Sequence, residues 1–287
     1  MVHANLVEEV FLENGLGRVV HIRNVSGGCI NQCYSVKTDS GRFFLKCNGN
    51  DAADLFECEA RGLNILRQEF GGVVPAVHAL TTCGGYQWLV LQWIESAPSH
   101  ADFWWQFGTM VADLHRCTSA VYGLDHQNYI GSLRQVNNHE SSWVDFFWNH
   151  RIEPQVRLAV DAGKMASAAA EKIESLCHRA DRFFPNEPPA LLHGDLWSGN
   201  YMCTGQGQPA LFDPAVYYGH RYMDLGMTRL FGGFHPHFYE AYHRAYPLVK
   251  DWEHGADLAN LYPLLVHVNL FGRSYLSQID QILTAYG

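Results

Sequence analysis

Lysine is scarce in this sequence. The first 150 of its 287 residues contain only Lys37 and Lys46. No block of Lys and Arg stands anywhere in the chain, and the formal net charge is −9. A chain of that balance has no general electrostatic affinity for nucleic acid phosphates. Long apolar runs are lacking as well. No stretch approaches the ~18 apolar residues needed to span a bilayer. The N-terminus, MVHANLVEEVFLENGLG, has no basic start followed by an apolar run, so it does not read as a secretory signal. The expected compartment is the cytoplasm, with neither membrane nor nucleic acid as partner. The eight cysteines form no C-x-x-C pair and the 16 histidines show no H-E-x-x-H spacing. Zinc-ribbon, thioredoxin-like and His-ligated metal readings therefore lose their main support. Internal repeats and low-complexity segments are also absent. With 47% hydrophobic and only 17% charged residues, the composition is that of an ordinary soluble globular protein rather than a disordered chain.

The first hundred residues read as strands around one helix. VVHIRNVS (19–26) is β-branched and bounded by Gly27 and Gly28. CYSVKT (33–38) and RFFLKC (42–47) flank the turn Asp39-Ser40-Gly41 and predict a hairpin. From about Asp54 to Gln68, Phe56, Ala60, Leu63 and Leu66 recur at helical spacing. YQWLVLQWI (86–94) predicts an aromatic-rich strand. Near Glu95 the character changes. Phe103 to about Cys117 carries Trp104, Phe107, Val111 and Leu114 on one helical face, and much of the remainder is helical, including the Ala-rich run from about 160 to 180. A short strand-loop-strand section from Ala190 to Asp213 interrupts it. The expected fold class is α+β, with a small β-rich N-terminal nucleotide-binding lobe (1–95), a larger mainly α-helical catalytic and substrate lobe (96–287), and a ligand cleft between them.

Phosphoryl transfer from ATP needs backbone donors and a cation for the phosphates, oxygen ligands for magnesium, and a positioned base for the acceptor hydroxyl. The loop SGGCIN (26–31) offers Gly27 and Gly28, which permit close backbone approach to phosphates and equally suit an ordinary hairpin turn. It lacks the G-K-[ST] ending of a Walker A loop. Lys46 ends an apolar strand, where its ammonium either reaches into a cleft or is simply solvated. Glu59, 13 residues on in the predicted helix, is its natural partner; Glu57 is the rival, about 200° away around the helix at ~100° per residue. The strongest signal is LLHGDLWSGN (191–200) followed by LFDPA (211–215). Asp195 follows a strand, Asn200 lies five residues later, and a second strand delivers Asp213. Kinases place D-x-x-x-x-N before a metal-binding aspartate in this order. Asp195 is the candidate base, with Asn200 and Asp213 the candidate Mg²⁺ ligands. Turn-capping roles for the two aspartates are the plain alternative.

HGDLWSGN with FDPAVYYGH resembles the fructosamine kinase family, in the aminoglycoside-phosphotransferase branch of the protein-kinase-like fold. FECEARGL (56–63), YGLDHQNYIG (122–131), SSWVDFFWNHRIEPQ (141–155), LFGGFHPHFYEAYHRAYP (230–247) and HVNLFGRSY (267–275) are similar too, so the likeness covers nearly the whole chain. It implies Asp195 as catalytic base, Asn200 and Asp213 as Mg²⁺ ligands, Lys46 on the ATP phosphates held by Glu59, and adenine against the backbone of Gln92, Trp93 and Ile94. It also implies phosphorylation of fructosamines or ribulosamines, at the 3-hydroxyl, with release of the repaired amine. The phosphate loop departs from the family in having Ser26 where many members have glycine. Cys29 sits where parts of the family carry a redox-sensitive cysteine. Trp197 is the expected sugar contact, joined by His220, Asp224, His267 and Asn269, each of which could instead be a satisfied polar residue between helices. A choline, homoserine or aminoglycoside kinase of the same fold remains an alternative, as does a nucleotide-binding redox sensor with little catalysis. The expected assembly is a monomer or weak homodimer.

Overall fold

The computed structural model describes residues 4–25, 31–49 and 54–287. Gly27, Gly28 and Cys29 lie outside the described residues. The strands are β1 (Val19–Asn24), β2 (Gln32–Thr38), β3 (Arg42–Gly49), β4 (Val77–Cys83), β5 (Tyr86–Gln92), β6 (Asn128–Ile130), β7 (Leu133–Gln135), β8 (Ala190–Leu192), β9 (Tyr201–Cys203), β10 (Pro209–Leu211) and β11 (Tyr217–Gly219). The α-helices are α1 (Ala4–Glu13), α2 (Leu55–Phe70), α3 (Phe103–Leu114), α4 (Trp143–Phe147), α5 (Glu153–Asp161), α6 (Ser167–Cys177), α7 (Tyr222–Met227), α8 (Pro236–Ala245), α9 (Trp252–Ala259), α10 (Leu261–Phe271) and α11 (Leu276–Tyr286). The chain forms two compact units. One comprises residues 1–100 with 201–214, the other residues 101–200 with 215–287. Among the described residues no helix is long and apolar enough to cross a membrane.

The first unit is built on an antiparallel sheet in the order β1-β2-β3-β5-β4. Alternation along the strands sorts its two faces. Phe43, Leu45 and Cys47 of β3, with Val36, Trp88 and Val90, bury against Val7, Val10 and Phe11 of α1. Lys46, between Leu45 and Cys47, points to the opposite face, where α2 packs against β4 and β5. Two elements here go beyond the sequence expectation of one helix among strands. In α1, the apolar stripe is only three residues long, interrupted by the glutamates of VEEVF. In β4, VHALTTC exposes alternate residues, including Leu80. The hairpin β9–β10 belongs to this unit as well, joined to the segment after β5 by a bridge between Ser96 and Thr204 and by the Gly205 amide donating to the Glu95 carbonyl at 2.7 Å.

The second unit is mainly helical. α3 packs against α8 at Gly108, where a Cβ would lie 2.2 Å from the Phe238 carbonyl oxygen. Within the Ala-rich run expected to be helical from about 160 to 180, α6 spans Ser167–Cys177, separated by a turn from the end of α5. Gly163 adopts φ +64° after α5, and the Lys164 amide turns back to the Ala159 carbonyl at 2.8 Å. This left-handed glycine ends the helix in the manner of a C-cap. α7 is buried along its whole length. It approaches α9 through glycines: a Cβ on Gly226 would meet the Ala256 oxygen at 2.4 Å, and one on Gly255 would meet the Tyr222 ring at 2.6 Å.

Candidate active site

In the first unit, β3 and α2 meet around Lys46, whose side chain is 4% exposed. Its Nζ lies 2.7 Å from Glu59 Oε1 and also pairs with Asp213 Oδ1. Glu57, the rival on the same helix, pairs with Arg61 at the surface. Burial opposes the charge of Lys46, but the Asp213 and Glu59 carboxylates outweigh it, and the ammonium pKa is raised. Burial also pushes the Glu59 carboxyl up to about 7, against the pull of Lys46. One cation is shared by two carboxylates, and the one that is not deeply buried is Asp213, with 40% of its side chain exposed. Asp213 has φ +55°, a conformation that asparagine and aspartate tolerate better than other non-glycine residues. Gln92 ends β5 with its amide donating to the Ala76 carbonyl at 2.8 Å, and its Oε1 accepting from the Ala76 amide at 3.2 Å. Trp93 carries the Arg42 guanidinium 3.8 Å above its ring.

In the second unit, the loop after β8 is wound tightly around Asp195. Asn200 Nδ2 donates to the Asp195 carboxylate at 2.9 Å and to its carbonyl at 2.8 Å. The Asp195 amide donates to His193 Nδ1 at 3.3 Å. The preceding residue must be glycine: Gly194 has φ +83°, and a Cβ there would sit 2.0 Å from the Ala215 carbonyl oxygen. Asp224, from buried α7, holds the backbone of this loop. Its Oδ2 accepts from the His193 amide at 2.7 Å and its Oδ1 from the Gly194 amide at 2.9 Å. His115, at the end of α3 and fully buried, lies behind it, with Nε2 3.2 Å from Asp224 Oδ2 and Nδ1 2.7 Å from the Tyr242 hydroxyl. A carboxylate oxygen accepts, so His115 Nε2 donates in this contact. Gln135 Nε2 donates to the Ala215 carbonyl at 3.1 Å, and Asn128 Nδ2 to the Val216 carbonyl at 2.8 Å. These bonds pin the segment that follows Pro214.

The residues expected around a sugar separate into two groups. Trp197 and His267 lie on one aromatic surface, linked through Phe231. His220, Asp224 and Asn269 are interior residues with structural partners. His220 is 1% exposed among Trp143, Phe184 and Tyr222, with Nε2 3.1 Å from the Pro185 carbonyl and Nδ1 accepting from the Tyr222 amide. Burial lowers its pKa to about 3. Asp224 faces the loop backbone and not a ligand. Asn269 is buried and donates to Gln155 Oε1 at 2.8 Å and to its carbonyl at 3.0 Å. Sequence reasoning missed His115 and Tyr242 altogether. They stand 109 and 18 residues from Asp224, in helices whose apolar periodicity alone gives no sign of a buried polar chain.

Known proteins resemble this chain over nearly its whole length. The profile of the fructosamine kinase family matches residues 6–286. An Enterococcus faecium protein named as a candidate ketoamine kinase is 39% identical over 261 residues, covering 90% of this chain and 92% of that one. The chloroplastic protein-ribulosamine 3-kinase of Arabidopsis thaliana is 35% identical, covering 97% and 86%. A crystal structure of a candidate fructosamine-3-kinase from Thermobifida fusca superposes with a TM-score of 0.89 at 31% identity, covering 99% of each chain. An aminoglycoside phosphotransferase solved with AMP-PNP and hygromycin B has a TM-score of 0.68 at 14% identity, covering 97% of this chain and 98% of that one, a likeness of fold alone. The fold is thus the α+β protein-kinase-like fold, and the chain belongs to the fructosamine kinase family of ATP-dependent phosphotransferases.

Proposed function

We propose that this chain transfers the γ-phosphoryl group of ATP to a sugar hydroxyl of fructosamines or ribulosamines, at O3, with Asp195 as the base. The observation that supports the assignment of Asp195 is its double fixation: its backbone hangs from Asp224 through the two preceding amides, and its carboxylate is held by Asn200. A base in a loose phosphoryl transfer acts late, so holding it in place counts for more than raising its pKa. In this reading residues 1–100 with 201–214 bind the nucleotide. Lys46, kept charged by its carboxylate neighbours, contacts the phosphates, and Glu59 orients it. Adenine lies against the backbone of Gln92, Trp93 and Ile94, where the Gln92 amide itself is engaged by the Ala76 carbonyl.

The donor set suits Mg²⁺. Asp213 offers a carboxylate and Asn200 a carboxamide oxygen, because its Nδ2 is turned to Asp195. Mg²⁺ prefers a few hard oxygen ligands, completed by water and phosphate, to an all-protein cage. Among the described residues no cluster of three or more His, Cys, Asp or Glu could form such a cage. Bound there, the ion would neutralise charge on the phosphate oxygens. Asp195→Asn tests the proposal. We expect kcat on a synthetic ketosamine to fall by ~10³-fold or more with little change in ATP affinity, NMR of the wild-type product to show phosphate on O3, and choline, homoserine and aminoglycosides to be poor acceptors. Near-normal turnover by the variant removes Asp195 from the role.

A further inference from the structure

Beside the Asp195 loop the second unit carries a surface of aromatic rings. Trp197, two residues after Asp195, meets the edge of Phe231 at 6.2 Å between centroids. Phe231 is 4.9 Å from the His267 ring, and His267 is 4.9 Å from Tyr275 and 5.4 Å from Phe271. The rings are not packed away: Phe231 is 39% exposed and Phe271 51%. Phe231 holds this position at φ +53°, in a loop followed by Gly232 and Gly233, both with positive φ. A bulky side chain in the left-handed region is strained, and such strain gathers at ligand sites. The far side of the surface is anchored. Arg273 donates to the Gly163 and Lys164 carbonyls, and Lys164 Nζ donates to the Asn269 carbonyl. His267 Nδ1 lies 2.7 Å from the Pro263 carbonyl, and burial lowers its pKa.

We propose that the rings beyond Trp197, centred on Phe231 and His267 and bounded by Tyr275 and Phe271, bind the apolar substituent on the nitrogen of the ketosamine and make the enzyme select among amines. The inference rests on the ketosamine reading above. The chemistry of the acceptor supplies the argument for the occupant. In a ketosamine four single bonds separate O3 from the nitrogen, on the order of 5 Å when extended. A sugar presenting O3 to Asp195 and lying on Trp197 therefore directs its nitrogen about one ring width further on, to the rings that follow. Hydroxyls find little there, whereas a hydrocarbon stem or aromatic group gains from leaving water. A protonated nitrogen is also favoured over such faces.

The test compares two adducts of one sugar, fructosylated phenethylamine and fructosylated methylamine, on the purified full chain. In wild type, kcat/KM for the first should exceed that for the second by roughly tenfold or more, the advantage of burying one such group. Phe231→Gly removes the ring and relieves the backbone, and should bring the ratio close to one; Tyr275→Ala should lower it in part. A ratio is unaffected by loss of correctly folded protein, so partial misfolding cannot imitate the result. A wild-type ratio near one, or a ratio that survives both substitutions, overturns the subsite while leaving the ketosamine reading intact. No turnover of either adduct by wild type refutes that reading, and the subsite with it.

Discussion

Asp224→Asn is the substitution whose outcome the structure specifies most fully. The carboxylate accepts three donors, the His193 and Gly194 amides and His115 Nε2, and is 1% exposed. An asparagine of the same shape keeps one acceptor oxygen and turns an NH₂ toward a donor. Charge-assisted hydrogen bonds contribute about 1.5–3 kcal/mol, and a buried donor left unmatched costs about 1–3 kcal/mol. Together these give a loss of roughly 3–5 kcal/mol in folding stability, within the range seen when one partner of a buried ionic contact is removed. The kinetic effect should be selective. Asp224 fixes where Asp195 sits, and a shift of about 1 Å in a reacting group costs ~10²-fold in rate. Lys46, Glu59 and Asp213 are tied to one another within the first unit, so KM for ATP should move by less than about threefold. Urea titration followed by steady-state kinetics with varied ATP checks both parts. Unchanged stability, or a KM for ATP that rises in step with the fall in kcat, would refute the positioning role.

Two further outcomes follow from single sites. Gly194→Ala should lower stability by about 2 kcal/mol or more and nearly abolish turnover, because both φ +83° and the Ala215 oxygen at 2.0 Å exclude a Cβ; a variant with wild-type urea midpoint and kcat would contradict the loop geometry. His220 predicts an acid-sensitive fold. Its folded pKa of about 3 lies below the ordinary value of 6.5, so between these values the unfolded chain binds the proton that the folded one refuses, and stability must fall as pH drops from about 6.5 toward 3. The slope from this residue can reach about 1.4 kcal/mol per pH unit, and urea midpoints at pH 6.5 and 5.0 should converge in His220→Asn relative to wild type.

The parts of this molecule that were legible from its residues share one property: their information is local. The hairpin of β2 and β3, the amphipathic α2 and α3, and the run HGDLWSGN each announce themselves within about ten positions, and the order of Asp195, Asn200 and Asp213 follows directly along the chain. The choice between Glu57 and Glu59 needed the sheet face on which Lys46 emerges. α1 and β4 were missed because each buries only part of a short stripe. At His220, Asp224 and Asn269 the residues left two readings open for a single reason. A polar residue amid apolar ones looks the same whether it faces a ligand or a distant backbone, and only burial distinguishes them. Likewise the run LFGGF gives no sign of the positive φ and exposure of Phe231.

The wholly buried α7 has a consequence for how this enzyme can vary. A helix with no face toward water has no position at which side chains can drift freely, and its close approach to α9 at Gly226 and Gly255 admits not even one added methyl. Because this helix carries Asp224, poor fit in the middle of the second unit is transmitted to the loop that holds Asp195, the proposed base. Loss of catalytic competence should thus precede global unfolding when that interior is altered, and variants sorted by solubility alone would include many that are folded and inert.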